Sequence, residues 1–168
     1  MSRRRRRSRR GNMVLETALF IPVILLLLVG MVQIGKITFL YYSLKKAVYS
    51  AARYLSVQQG VNFCDLSNDP NVAAAIQFAI TGTTDGSAAP LISNLTPDMF
   101  QVTAECVDAT TGAPGPCGDA GCPTVSPRPD YILVSMPSGY TFQPRIPFVQ
   151  LNPIQLRPFV LVPFGGTS

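Results

Sequence analysis

Few residues in this chain are of types that do chemistry, and their spacing narrows what that chemistry is. Glu16 stands alone at the head of an uncharged stretch, residues 17–35. A carboxylate in such a place is costly in a membrane unless it is paired or reaches the interface. Four cysteines, Cys64, Cys106, Cys117 and Cys122, offer two disulfides or one four-thiolate zinc site. Cys117 and Cys122 have a spacing that zinc accepts, but Cys64 and Cys106 have no partner nearby in the sequence. An even count in a segment expected outside the cytoplasm favours disulfides. Three pairings are open, and the preferred bridge pins the loop 110–128 to the end of the strand carrying Cys106. The chain has no His, which excludes histidine triads and histidine-ligated zinc. The acids Asp69, Asp85, Asp98, Asp108, Asp119 and Asp130 are scattered, mostly beside or close to Gly, Pro or Asn, and read as turns and caps. There is no phosphate-binding glycine loop, calcium loop or nucleophile motif. The reading is therefore not an enzyme, with no catalytic residue, no cofactor and no metal site.

The elements that must position these residues follow from charge and hydropathy. Of the 14 basic residues, seven lie at positions 3–7, 9 and 10. The remaining seven face nine acidic residues, so the body is slightly acidic and no nucleic-acid partner is expected. The arginine block repels itself and is expected to be disordered. The uncharged stretch that follows is long enough to cross the hydrocarbon of a bilayer as a helix. Arginines on its N-terminal side hold that end in the cytoplasm and place the rest of the chain outside. No small-residue cleavage site follows Gly35, so the segment is expected to remain in the mature protein. Pro22 removes a backbone hydrogen bond within it and predicts a kink or a loosened turn.

Beyond Gly35 the apolar spacing changes. Ile37, Leu40, Tyr41, Leu44, Val48, Ala51 and Leu55 recur every three or four residues, as on an amphipathic helix. One helix from about residue 13 to about residue 59 is predicted, stopped by Gly60. Tyr41 and Tyr42 fall at the outer membrane interface, where tyrosine is favoured.

Several motifs here carry a resemblance. Gly11-Asn-Met-Val-Leu-Glu16 looks like a type IV prepilin processing site: a basic leader, a glycine, then a glutamate as the fifth mature residue. Residues 16–22, the leucine run, Gly30-Met-Val-Gln-Ile-Gly35-Lys36 and Ala51-Ala-Arg53-Tyr54 resemble the TadE-like minor pilins, or pseudopilins, of tight-adherence pilus systems. The pattern departs from that family at Thr17, where an aromatic residue is usual, and at Gln33, where an acid often stands. The resemblance implies cleavage after Gly11 by a prepilin peptidase, with Asn12 as the new N-terminus. It implies a recognition or assembly role for Glu16, and Pro22 belongs to the same motif. A new ammonium and the Glu16 carboxylate, paired between subunits, would relieve two charges in a low-dielectric region. The partners implied are the prepilin peptidase, other major and minor pilins, the membrane assembly platform and the lipid bilayer.

The expected organisation is a leader (1–11), a transmembrane segment (12–35), an amphipathic helix (36–59) and an extracytoplasmic head (60–168). In the head, Asp69 and Pro70 open a short helix over 70–81. Residues 100–106 and 131–136 alternate as strands. Residues 140–142 extend or partner the second of these. The stretch 110–128 reads as an irregular loop, 144–153 as extended, and 156–163 as a last strand kept at an edge by its prolines. Phe148, Phe159 and Phe164 read as core or interface. The fold class is α+β, a long helix packed on a small antiparallel sheet, as in pilin-like proteins. The function expected is a minor pilin that assists pilus initiation or capping from the bacterial cytoplasmic membrane. The alternative is an uncleaved, signal-anchored binding or adhesin domain.

Overall fold

Residues 13–35 contain no glycine before Gly30 and are rich in leucine, isoleucine and valine, so they satisfy their backbone polar groups locally as helix. The computed structural model describes residues 4–117, 128–146 and 149–165. Helix α1 (Arg4–Val57) runs 54 residues and continues through Pro22 without a break. It begins at Arg4 rather than near residue 13, so the arginine run expected to be disordered is helical from Arg4 onward. Arginine is a good helix former, and a helix already nucleated in the apolar run extends at little further cost. Gly60, with φ of 73°, follows the end of the helix in the left-handed region.

The chain forms two compact units. The first joins α1 up to Phe39 with residues 143–153. Those residues hold two short antiparallel strands, Arg145–Ile146 and Val149–Gln150, paired Arg145 to Gln150 and Ile146 to Val149. The segment expected to be merely extended is thus a hairpin.

The second unit holds Leu40–Phe142 and residues from Ile154 onward. Its helix portion buries Leu44, Ala47, Val48, Ala51, Ala52 and Leu55, so the predicted stripe is buried from Leu44 onward with alanines filling it in, while Leu40 is half-buried and Tyr41 is exposed. Helix α2 (Pro70–Thr81) starts as expected. The Asp69 carboxylate accepts from the backbone N–H groups of Asn71 at 2.7 Å and Val72 at 3.3 Å, and also from that of Asn62 at 2.6 Å. Gly82 closes the helix at φ 82°, its N–H donating to the Phe78 carbonyl. Tyr54 of α1 and Phe78 of α2 lie 5.9 Å apart between ring centroids.

The main sheet contains β1 (Gln101–Val107), β2 (Pro114–Pro116), β3 (Tyr131–Ser135) and the last strand, Phe159–Pro163. Their order is β2, β1, β3 and the last strand, all antiparallel. Alternation puts Ile132 and Val134 of β3 and Val162 of the last strand in the core. Leu55 of α1 meets Ala104 and Ile132 of the sheet around one small hollow. The predicted edge position of the last strand holds. Exposed Pro163 and Phe159 lie on this strand, which has a single neighbour, so Phe159 is a surface residue rather than core; Pro158, just before the strand, is buried. Phe164 does pack, edge to face on Phe63 at 5.1 Å. Phe148 lies outside the described residues.

Two strand expectations need correction. The stretch 110–128 contributes β2, which pairs Val107 with Pro114 and Glu105 with Pro116 at the sheet edge. Proline lacks an N–H, and an edge is where that loss does least harm. Residues Tyr140–Phe142 form a strand, but it pairs with Ile154–Leu156 in a separate two-stranded sheet and not with β3. Gly139 makes the tight turn before it, with φ of 71°. A β-carbon there would meet Gln155 and Arg157 side-chain atoms at 2.9 Å.

Candidate functional site

The candidate site is the N-terminal half of α1. Gly11, Asn12, Glu16, Pro22 and Gln33 lie on this single helix. Asn12 and Glu16 are four residues apart along it. Glu16 is exposed, and so are nearly all the large apolar residues from Met13 to Ile34. Such a surface is unstable in water and marks an element meant for lipid or for other apolar helices. The segment Met13–Val57 contains a stretch long and apolar enough to cross a membrane.

Several uncharged polar side chains of this helix bond to backbone carbonyls. The Thr17 hydroxyl donates to the Met13 carbonyl at 2.8 Å, and that of Thr38 to the Ile34 carbonyl at 2.9 Å. This bonding to the preceding turn is how hydroxyls survive in apolar surroundings. Gln33 behaves differently. Its side-chain Nε2 donates across 2.6 Å to the backbone carbonyl of Arg145, 112 residues away. The sequence marks Gln33 only as a departure from a family pattern. Its partner has no local signal.

In the head, Cys106 and Cys117 are joined by a disulfide, their α-carbons 4.9 Å apart. The bridge clamps the end of β1 to the chain just beyond β2. Cys64 is also disulfide-bonded, and Cys122 lies outside the described residues. Sulfurs spent on each other cannot serve as thiolate ligands, so a zinc site built from all four cysteines is not formed. Among the described residues, no group of three His, Cys, Asp or Glu side chains could hold a metal ion.

Several of the head's carboxylates accept hydrogen bonds in turns and at strand ends. Asp108 accepts from the N–H groups of Thr110 and Thr111, which hold its carboxyl below the usual range. Asp85 is lowered in the same way by the N–H and hydroxyl of Ser87. Asp65 is lowered first by the Asn68 side chain and then by Ser67. Asp130 accepts from the Val107 N–H at 2.7 Å. Asp119 lies outside the described residues. A groove of about 710 Å³ runs between α2 and β1, lined by Asp65, Gln77, Asp98 and Thr103 among apolar neighbours. Of its two carboxylates, Asp65 is occupied within its own turn.

The helix that carries Gly11, Glu16 and Pro22 is where the chain is similar to a known family: residues 11–53 match the family model for TadE-like proteins. The chain carries a TadE-like segment. The match covers the apolar half of α1 and most of its amphipathic half, and it leaves the rest of the chain unmatched. No curated protein and no solved structure matches the chain. The head beyond the TadE-like segment therefore has to be read from its own geometry.

Proposed function

We propose that this chain is a membrane-anchored minor pilin, or pseudopilin, that assists the assembly of a tight-adherence pilus. One observation carries the reading. The TadE-like match lies along a single helix whose N-terminal half leaves its apolar side chains uncovered, while its C-terminal half is embedded in an α+β head. A pilin needs this division, one half of the helix for lipid and then for neighbouring helices, the other for holding a head. The arginines keep the N-terminus cytoplasmic and the head is extracytoplasmic. A prepilin peptidase cuts after Gly11, which discards the leader and makes Asn12 the first residue. Glu16 then stands one helical turn from the new ammonium. It can pair with that group on an adjacent subunit, setting axial register while apolar surfaces pack. Pro22 frees a carbonyl that neighbouring helices can satisfy. The role is structural, exercised on other pilins and the assembly platform.

The test is the intact mass and N-terminal residue of the membrane-extracted chain, expressed with and without its cognate prepilin peptidase. The expected product begins at Asn12 only when the peptidase is present, and Gly11→Leu blocks it. A chain that keeps its arginines under both conditions overturns processing and leaves a permanently anchored binding or adhesin domain. Glu16→Ala is expected to insert normally but lose co-purification with other pilins. Unchanged co-purification removes Glu16 from assembly.

A further inference from the structure

We propose that the paired strands within residues 143–146 and 149–153 are a second membrane contact of this chain, seated at the headgroup–acyl boundary beside helix α1. The proposal rests on the membrane-anchored reading above and adds a lipid-facing element outside the TadE-like segment.

The position of the hairpin carries the argument. Gln33 lies within the uncharged stretch 17–35, three residues before Lys36 returns charge to the helix. Its side chain donates to the carbonyl of Arg145 in the first hairpin strand. The hairpin backbone is thereby held at the depth where the apolar span ends. Val29, Gly30 and Gln33 are half-buried while Met31, Val32 and Ile34 are exposed. That three-to-four spacing marks one face of the helix, and residues 143–153 are the other part of the same compact unit. Pro144 of the hairpin is buried.

The chemistry of the hairpin fits a lipid boundary better than water or hydrocarbon. Residues 143–153 contain one charged side chain, Arg145, and no acid. Ile146 is half-exposed and Leu151 is exposed. Strands of two residues have little stability of their own in water. Deep hydrocarbon is also excluded, because so short a hairpin leaves open strand edges that lipid tails cannot satisfy. At the boundary these demands are compatible. Ile146 and Leu151 enter the acyl edge, the exposed Arg145 guanidinium reaches lipid phosphates, and the strand edges meet headgroup water. Gln33 is suited to this position because an amide can donate to the Arg145 carbonyl. A carboxylate at position 33 would only accept.

The chain has no Trp, so one introduced indole is a unique depth reporter. Full-length Ile146→Trp, Leu151→Trp and Leu28→Trp proteins are reconstituted in phosphatidylcholine vesicles brominated either high on the acyl chain or near its end. Reconstitution is at low protein density. Both hairpin indoles are expected to lose about half their emission to shallow bromines and little to deep ones. The Leu28→Trp indole is expected to be quenched best by deep bromines. Adding Gln33→Glu to Ile146→Trp is expected to restore most of the lost emission. Hairpin indoles that stay bright while the Leu28→Trp indole is quenched overturn the proposal alone, and a second protein chain covering the hairpin would produce that result. An unquenched Leu28→Trp indole overturns the membrane-anchored reading and this proposal together.

Discussion

Along one helix, leucines meet two different surroundings. Leu28 is 53% exposed and Leu25, Leu26 and Leu27 before it are similar, whereas Leu44 and Val48, further along the same helix, are fully buried. Both stretches are helical and rich in aliphatic residues, so helix propensity does not separate them. Pattern does. Around Leu28 the apolar residues surround the helix, and nothing in the chain can cover all sides at once. Around Leu44 they occupy one stripe, which a sheet and a second helix can cover. The first region depends on an external solvent. The second carries the free energy of the head.

The largest break in this comparison comes from removing the same kind of side chain in each region. Ile132 is almost wholly buried opposite α1. Ile132→Ala is expected to destabilise the head by about 2–5 kcal/mol, through lost transfer energy and a residual cavity. Leu28→Ala removes as much apolar volume but is expected to leave head stability within about 0.5 kcal/mol, as for surface changes. Guanidinium unfolding of the full chain in detergent micelles, followed by near-ultraviolet circular dichroism, measures both. Equal losses would mean that the two halves of α1 do not have separate tasks.

How much of this was legible in the sequence follows the same division. The uncharged stretch, the change to a three-to-four spacing and the cap at Asp69 are local signals; the first two lie on the one continuous helix expected of them, and the third opens α2. Strands β1 and β3 alternate and were equally plain. The missed features are non-local. Pro114–Pro116 reads as loop because proline and glycine suppress strand propensity, yet it pairs with β1. The partner of Tyr140–Phe142 lies beyond an intervening hairpin, and no side-chain pattern announces it. In the candidate site, Gly11, Glu16 and Pro22 were visible as a motif on one helix. The role of Gln33 was not, because a hydrogen bond to a backbone carbonyl leaves no trace in the identity of its partner.

A smaller effect sharpens the comparison through polar groups. Asp69 is buried and accepts three backbone N–H bonds, tying the start of α2 to Asn62. Asp69→Ala leaves those donors unsatisfied and is expected to cost about 2 kcal/mol of head stability, the upper end for an N-cap. Thr17 also makes a hydrogen bond, but only to its own helix. Thr17→Val is expected to be neutral for the head in the same unfolding measurement. A large effect of Thr17→Val would show that the exposed half of α1 contributes to the fold of the head.

The smallest expected effect is the response of the head to acid. Asp65, Asp85 and Asp108 have carboxyls held below the usual range by hydrogen bonds within their turns. A group whose pKa is depressed by folding adds stability that is complete above its unfolded pKa. That stability is lost as pH falls through the lower, folded value. The head is therefore expected to keep the contribution of these groups at neutral pH and to lose it only at and below the ordinary carboxylate range. All three lie at the surface, so solvent screens each contribution and keeps it small. Asp108→Asn can still accept the N–H groups of Thr110 and Thr111 but cannot titrate. In an acid titration of the full chain in micelles, this variant is expected to lose less stability with falling pH than the parent, lying slightly below it at neutral pH and converging on it in acid. If the variant and parent follow the same acid curve, the Asp108 turn makes no pH-dependent contribution, and the buried apolar stripe of α1 with its sheet remains as the source of the head's stability.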